Sequence, residues 1–237
     1  MFTPSAEYYD LIYSTFKDYA AETARIVDLL RRINPRGRTV LDVACGTGEH
    51  ARLLAAHGFA VDGLDLDSAL LRIAALKHPA GRFFEADMRD FHLPHRYDAV
   101  LCLFSSIGYL TTLDRVRQAL ARFREHLAPG GVIVVEPWFV PGALDPTRVA
   151  RNTGEAGGVR VERVSRVEIE GRLARLLFDY EITDSRGTRH VSEVHELGLF
   201  TTGEMLTVFR EAGLDVEYDP QGLIGRGLFA ARSAAGV

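Results

Sequence analysis

The sequence is poor in the features that mark several protein classes. It has two cysteines and one tryptophan in 237 residues, and it lacks a run of about 18 apolar residues that could cross a membrane. Its start, MFTPSAEYYD, lacks the basic and then apolar layout of a secretory signal. Cys45 and Cys102 lie far apart in apolar strand contexts, so we expect reduced core thiols and a cytoplasmic location.

Surplus charge and metal-ligand patterns are also missing. Lysine plus arginine count 28 against 32 acids, a net charge of −4, which predicts neither nucleic acid nor a membrane as a partner. His190 and His195 are an odd number of residues apart on a predicted strand and so face opposite ways, while His92 and His95 flank a proline. Neither pair has ligand spacing, so we expect no metal site.

What the sequence does contain is an alternation of short apolar runs and helical patterns. After an amphipathic helix over 18–33, the runs predict five strands with helices between them. Near-continuous apolar strands separated by helices indicate an α/β fold whose mostly parallel sheet is covered on both faces. The predicted strands are 38–43, 59–64, 81–85, 97–102 and 131–136, the helices 48–57, 67–77 and 112–127, and Ala128-Pro129-Gly130-Gly131 is read as a turn before the fifth strand.

The pattern changes after Trp138. Residues 159–170, 172–182 and 188–198 alternate apolar with polar side chains and are joined by short turns, which indicates antiparallel strands. A helix over 202–212 and strands at 214–219 and 226–231 then return to the main sheet. We therefore divide the chain into an N-terminal helical flap (1–37), an α/β core (38–149), an antiparallel β appendage (150–198) and a C-terminal completion of the core (199–237).

The stretch LDVACGTGEH ends the first strand in an acid and turns on glycines. Gly46-Thr47-Gly48-Glu49-His50-Ala51 satisfies a dinucleotide pattern formally. However, Asp42 precedes the turn and Glu49 follows it, and at a few ångströms each would oppose a pyrophosphate by roughly 1–4 kcal/mol. A phosphate-free, cationic nucleoside such as S-adenosylmethionine suits the turn better, with Asp42 facing its ammonium. A nicotinamide oxidoreductase remains the alternative.

Acids at the ends of the next strands extend this reading. Asp65 follows the second strand and can accept hydrogen bonds from a ribose, in either cofactor. Asp87 can accept from an adenine amino group, and Met88 can offer its backbone N–H and an apolar face. The fourth strand runs into paired serines at an edge where ligands of open α/β sheets bind.

Taken together, these residues resemble the class I S-adenosylmethionine-dependent methyltransferases over about 38–136 and 202–231. The segments EYYDLIY, KDYAAE, LDVACGTGEH, DMRDF, FSSIGYL, IVVEPWF, NTGEAGG and GRGLF more specifically resemble the N,N-dimethyltransferases that act on nucleotide-linked amino sugars in macrolide biosynthesis. The resemblance implies a seven-stranded core sheet and S-adenosylmethionine as cofactor. It also implies one or two methyl transfers to the amine of a small molecule. The appendage can cover the acceptor or form a dimer contact through an exposed edge strand, so either a monomer or a homodimer is expected.

The resemblance also implies site residues. The cofactor-binding set is Tyr9, Tyr19, Asp42, Ala44, Gly46, Gly48, Asp65, Leu66, Asp87, Met88, Phe104 and Ser105. The substrate-binding set is Tyr13, Trp138 and Arg226, with Arg226 on a pyrophosphate, for which a planar fork of donors is suited.

Tyr109 and Glu136 are the candidate catalytic residues. Tyr109 stands where relatives of this kind carry histidine, and Glu136 ends the fifth strand. Without an obvious histidine base, an amine acceptor is favoured over a hydroxyl, because an uncharged amine is a nucleophile without a strong base. A methyltransferase for another small molecule, or a non-catalytic scaffold that binds the cofactor, is left open.

Overall fold

The computed structural model describes residues 5–234, so the first four residues of the predicted flap and the last three of the C-terminal segment lie outside the described residues. Two helices precede the core, α1 (Tyr9–Tyr13) and α2 (Tyr19–Ile33). Asp18 caps α2 by accepting a hydrogen bond from the Ala21 N–H. The α2 helix then buries an apolar stripe that includes Ile26 and Leu30.

A seven-stranded sheet forms the core, in the strand order β10-β11-β5-β4-β1-β2-β3. Strands β1 to β5 run parallel, and β11 alone runs against its neighbours. The predicted mostly parallel seven-stranded sheet is therefore confirmed. Its first strands and helices are β1 (Thr39–Val43), α3 (Glu49–Ala56), β2 (Ala60–Asp65), α4 (Ser68–Lys77), β3 (Phe83–Glu85), β4 (Tyr97–Cys102), α5 (Leu113–Glu125) and β5 (Leu127–Val135).

Helices cover both faces of this sheet because successive strand residues point to opposite sides. Leu41 packs with residues of α5 on one face, whereas its neighbour Val40 packs with residues of α2 and α3 on the other. The central strands are apolar on both sides, as expected of a buried parallel sheet. All five parallel strands end at the same edge.

The fifth strand corrects one prediction. It begins at Leu127 rather than at Gly131, because the predicted turn lies inside the strand as an irregularity. Leu127 pairs with Tyr97, but Val132 already pairs with Ala99, so the residues between them bulge out. Gly130 takes a φ of +77° there, which a residue without a Cβ adopts at little cost.

The appendage is an antiparallel four-stranded sheet in the order β6-β7-β8-β9. Three of its strands were predicted, and the first, which lies at the edge, was not. The strands are β6 (Ala150–Ala156), β7 (Val159–Glu170), β8 (Leu173–Asp184) and β9 (Gly187–Gly198). The α1 helix packs against β6 and β7, so the flap and the appendage meet.

The chain returns to the core through α6 (Thr202–Glu211), β10 (Leu214–Asp219) and β11 (Leu228–Ser233). The last strand starts two residues later than predicted, because Gly225 and Gly227 have φ values of +82° and +87° that interrupt an extended chain. Cys45 and Cys102 are free thiols, as expected. Among residues 5–234, no helix is long and apolar enough to cross a membrane.

Candidate active site

The glycine turn after β1 is occupied by a carboxylate. The Gly46 N–H donates to Asp65 Oδ2 over 2.9 Å, and the Asp67 N–H donates to the other oxygen of Asp65 over 2.9 Å. A pyrophosphate at this turn would therefore meet a negative charge instead of a free amide donor. The geometry favours a phosphate-free ligand.

Asp42 lies under the same turn and adds a second acid. It is 2% exposed, and within residues 5–234 its Oδ2 atom has no hydrogen-bond partner. Burial, with a smaller effect of the Asp65 charge, raises the pKa of Asp42 to about 7. A cation brought to this position would supply the missing partner and favour the charged carboxylate.

A cavity of about 270 Å³ opens at this edge of the sheet. Seven predicted site residues line it, and they come from the flap, the glycine turn, the ends of β2 and β3 and the loop after β4. These residues are Tyr9, Ala44, Gly46, Asp65, Leu66, Met88 and Tyr109, and they are joined by Ala86, Ser106 and His195 among others. We call this space the main cavity.

A narrower recess adjoins the main cavity on the side of the flap. Tyr19, Asp42 and Phe104 line it, and it shares Tyr9 and Gly46 with the main cavity. The recess therefore contains the buried acid, while the main cavity contains the apolar wall made by Leu66 and Met88. Together they match a ligand with a charged end and an aromatic end.

Three predicted cofactor residues lie elsewhere. Both oxygens of Asp87 accept from the Arg89 guanidinium, at 3.0 Å each from Nε, and this contact lowers the pKa of Asp87. Gly48 packs against α4, where an added Cβ would lie 2.8 Å from the Ala74 Cβ. Asp87 thus engages a neighbouring cation, and Gly48 serves helix packing.

Ser105 is the third predicted cofactor residue that lies outside the main cavity and the recess. Its hydroxyl donates to the Pro137 carbonyl over 2.7 Å and accepts from Arg226 Nη1 over 3.1 Å. It is Ser106, the next residue, that lines both the main cavity and the recess. Ser105 lines neither space, because Phe104 and Ser105 have φ values of +51° and +63°, which redirect the loop.

Glu136 holds this loop. It is completely buried, and its Oε2 accepts from the Phe104 N–H over 2.7 Å. Burial raises its pKa, against the opposing charges of Lys17 and Arg226. This position favours a part in shaping the loop over direct contact with an acceptor.

Arg226 lies on the far side of the same loop, among aromatic rings. Its guanidinium carbon is 5.4 Å from the Trp138 ring centre and 5.0 Å from that of Phe139. The three residues line a separate cavity of about 370 Å³. Tyr13 is buried nearby and makes an edge contact with Phe104, with ring centres 5.2 Å apart.

Comparison with known proteins identifies the fold and its chemistry. Residues 40–131 match the family described as a methyltransferase domain. A dTDP-3-amino-3,6-dideoxy-alpha-D-glucopyranose N,N-dimethyltransferase from Streptomyces fradiae is 44% identical, over 97% of this chain and 91% of the relative. The chain belongs to the S-adenosylmethionine-dependent methyltransferases.

Solved structures of similar enzymes superimpose on this methyltransferase over nearly its whole length. The crystal structure of Streptomyces venezuelae DesVI superimposes with a TM-score of 0.90 and 41% identity, over 97% of this chain and 98% of that one. CalS10, an S-adenosylmethionine-bound amino pentose methyltransferase from Micromonospora echinaspora involved in calicheamicin biosynthesis, gives 0.81 and 38%, over 91% and 92%. The predicted class, fold and cofactor are thus confirmed.

The residues of the enzyme fit S-adenosylmethionine. The unpartnered buried oxygen of Asp42 is an acceptor for an ammonium, and Gly46 leaves open space because nothing lies within 4 Å of where its Cβ would be. Asp65, at the end of β2, can accept from ribose hydroxyls, since each carboxylate oxygen has two lone pairs. Ala86, Leu66 and Met88 supply an apolar wall for a purine.

Sequence reasoning missed His195. Its Nδ1 atom lies 3.1 Å from the Tyr109 hydroxyl, and it lines the main cavity although it belongs to the appendage. The available signal was the period of β9: Glu193, His195 and Leu197 are buried whereas Val194 is 57% exposed. Leu197 packs against Gly108, where a Cβ would lie 3.1 Å from Leu197 Cδ2, and this close approach brings β9 to Tyr109.

Within residues 5–234, no three His, Cys, Asp or Glu side chains are grouped to hold a metal ion.

Proposed function

We propose that the enzyme methylates the amine of a dTDP-linked amino sugar, in two successive transfers. Three relatives that are 44%, 42% and 36% identical over nearly the whole chain are named as N,N-dimethyltransferases of dTDP-linked amino sugars, and CalS10 is named as an amino pentose methyltransferase. The similarity to them includes the appendage as well as the core. The observation that carries the proposal is the place of Arg226, a half-buried guanidinium at the wall of an aromatic cavity.

Arg226 suits a pyrophosphate. Burial lowers its pKa, opposed mainly by the charge of Glu136, so a second anion would favour its charged form further. A guanidinium presents a planar fork of donors that matches phosphate oxygens. Trp138 and Phe139 offer flat apolar faces beside it, on which a thymine ring can stack. We assign the aromatic cavity to the nucleotide.

Alignment of the methyl donor with the acceptor amine accounts for most of the catalysis. When bound, S-adenosylmethionine supplies an electrophilic methyl group on its sulfonium. Tyr9, Tyr19 and Asp42 hold the charged end of the cofactor, Asp65 its ribose, and Leu66 and Met88 its base. An amine needs no strong base once it is uncharged, so orientation of donor and acceptor contributes most of the rate. Tyr109, at the wall of the main cavity, orients the amine, while Glu136 acts indirectly by holding Phe104.

We extend the proposal to the organisation of the chain. The predicted boundaries after residues 37, 149 and 198 assign the cofactor to the core, and the β appendage then covers the acceptor. A cytoplasmic enzyme that is a monomer or homodimer is consistent with free cysteines and a net charge of −4.

Product mass tests the proposal. The purified enzyme is incubated with S-adenosylmethionine and dTDP-linked sugars that carry an amine at carbon 3 or carbon 4, with the matching hydroxyl sugars as controls. We expect gains of one and then two methyl groups on an amino sugar and none on the hydroxyl sugars. No gain on any amino sugar, with S-adenosylhomocysteine binding intact, would refute the proposed substrate.

A further inference from the structure

A chain of three polar side chains runs from the appendage into the main cavity. The Tyr109 hydroxyl lies 3.1 Å from His195 Nδ1, and His195 Nε2 lies 3.3 Å from Glu193 Oε2. The other oxygen of Glu193 accepts from the Ser5 N–H over 3.0 Å. His195 and Glu193 are 2% and 6% exposed, so packing holds this chain in place.

The chemistry of the three groups sets the direction of their hydrogen bonds. An ionised carboxylate only accepts, so Glu193 requires a hydrogen on His195 Nε2. In the neutral imidazole, Nδ1 is then an acceptor, and the Tyr109 hydroxyl donates to it. The hydrogen of Tyr109 thus points away from the main cavity, and its oxygen presents lone pairs to the cavity.

We propose that Glu193 and His195 are positioning residues that make the Tyr109 oxygen a hydrogen-bond acceptor for the N–H of the acceptor amine. This inference rests on the proposed function for the identity of the acceptor. An amine that donates to Tyr109 keeps its lone pair free to point at the methyl group. A Tyr109 hydroxyl that donated into the cavity would occupy that lone pair and block the attack.

The surroundings keep Tyr109 protonated. Its side chain is 38% exposed, but burial around the hydroxyl, together with the charges or hydroxyls of Tyr13, Asp65, Tyr180 and Glu193, raises its pKa well above the ordinary value. Tyr109 therefore acts through the direction of its hydrogen bond and takes no proton from the amine. The proton of the ammonium product leaves to water before the second transfer.

Within residues 5–234, His195 contacts Tyr109 from the loop after β4, Glu193 on its own strand and the Phe178 ring of β8, whose centre is 5.1 Å away. A charged group beyond this ring is Arg163 of β7, whose guanidinium carbon lies 4.6 Å from the Phe178 ring centre.

Glu193→Gln tests the proposal because it reverses the direction of these hydrogen bonds without changing the shape of the side chain. The amide oxygen keeps the Ser5 N–H, so the amide NH₂ faces His195 and leaves Nε2 as the acceptor. Nδ1 then carries the hydrogen, and Tyr109 donates into the cavity. We expect kcat to fall about tenfold, as for one misdirected hydrogen bond, with an unchanged KM for S-adenosylmethionine.

A double-mutant cycle separates this effect from a structural one. In a Tyr109→Phe background, Glu193→Gln should cause no further loss of kcat, because the hydroxyl it acts through is absent. Glu196→Gln, on the exposed face of the same strand, is the matched control and should leave kcat unchanged. An equal loss from Glu193→Gln in both backgrounds, or wild-type kcat in Glu193→Gln, would overturn the proposal.

A second measurement needs no acceptor and so is independent of the proposed substrate. In the complex of the ¹⁵N-histidine-labelled enzyme with S-adenosylhomocysteine, nitrogen shifts report the tautomer of His195, assigned by loss of its signals in His195→Asn. We expect the Nε2–H tautomer at neutral pH and the Nδ1–H tautomer in Glu193→Gln. An Nδ1–H tautomer or an imidazolium in the wild type at neutral pH would refute the inference even if amino sugars are methylated.

Discussion

At the scale of single residues, Asp42 combines burial with an unfilled hydrogen-bonding position. Burial raises its pKa to about 7 in the ligand-free enzyme, and an ammonium beside it would lower that pKa, so cofactor binding should release a proton below about pH 7. Affinity for S-adenosylhomocysteine should therefore rise as pH increases from about 5 to about 7. Calorimetric titration over this range measures it directly.

Asp42→Asn should remove this pH dependence and weaken binding by about tenfold, because an amide carries no charge for the ammonium. Asp114→Asn, on the exposed surface of α5, is the control. The ligand-free Asn variant should also be more stable than the wild type above pH 7, since the wild type must bury a charge there. An affinity that stays flat with pH in the wild type would contradict the assignment of Asp42.

Arg226 provides a test of the acceptor side. Arg226→Lys keeps the charge but loses the planar fork, so KM for the sugar nucleotide should rise about tenfold. Binding of S-adenosylhomocysteine should stay unchanged, because Arg226 lines the aromatic cavity and not the main one. Steady-state kinetics and calorimetry separate the two effects, and Arg232→Lys, at an exposed position near the end of β11, is the matched control. If Arg226→Lys weakened the binding of S-adenosylhomocysteine as much as that of the sugar nucleotide, the assignment of Arg226 to the pyrophosphate would be refuted.

Among the predicted site residues, several that the structure brings to the main cavity or its recess lie at strand ends. Asp42, Asp65 and Met88 belong to this group, because carboxyl ends of parallel strands meet at one edge. His195 was missed because its role depends on β9 meeting a loop from a distant part of the chain. Ser105 and Gly48 are predicted to bind the cofactor; in the structure the Ser105 hydroxyl accepts a hydrogen bond from Arg226, and Gly48 packs against Ala74.

At the scale of elements, Gly48 determines how closely α3 approaches α4. Gly48→Ala meets both an unfavourable φ of +71° and an Ala74 Cβ at 2.8 Å. Gly130→Ala has a similar φ of +77° but open space, so it isolates the backbone cost of about 1–2 kcal/mol. We expect Gly48→Ala to lower the free energy of unfolding by at least about 1 kcal/mol more than the control. Urea denaturation measures both, and equal losses would contradict the packing role.

The flap is joined to the core by a buried ion cluster. Glu22 of α2 contacts Lys17 and, at 3.1 Å, His50 Nε2 of α3. Burial opposes the charge of Glu22, but hydrogen bonds from His50 and Lys17 outweigh it and lower its pKa. The stability from this pairing is therefore present above the ordinary carboxyl pKa and is lost as pH falls through the lowered one.

Glu22→Gln should lower the free energy of unfolding by about 3–5 kcal/mol at neutral pH, because it leaves Lys17 buried without its counter-charge. The exposed pair of Arg175 and Glu196 is the control, and Glu196→Gln should cost less than about 1 kcal/mol. Thermal and urea unfolding check both values. A loss as small as the control's would show that the cluster adds nothing to flap docking.

Elements with a clear periodicity of apolar residues were predicted well, and elements without it were not. The 214–219 strand was predicted with its observed bounds, since it alternates and lies between a helix and a turn. The β6 strand, ARNTGEA, was missed because it is an edge strand with few apolar residues, and only its pairing with β7 makes it a strand. The bulge in β5 was read as a turn because glycine and proline favour both.

At the scale of the whole molecule, the two sheets position different parts of the candidate site. The parallel sheet positions the cofactor residues at its carboxyl edge, and the appendage brings His195 to Tyr109 over the same cavity. The flap adds Tyr9 and Tyr19 from the third side. A site built from three separated parts of the chain explains why the fold could be predicted from local patterns while the complete site could not.

The central feature of the proposed function is the transfer of methyl to nitrogen rather than to oxygen. The most direct test is a reaction with S-adenosylmethionine carrying ¹³C in its transferable methyl group, followed by proton–carbon correlation NMR of a dTDP-linked amino sugar. We predict one new N-methyl signal that is replaced, as the reaction proceeds, by the signal of two equivalent methyl groups on the same nitrogen. An O-methyl signal, with the amine unchanged, would contradict it.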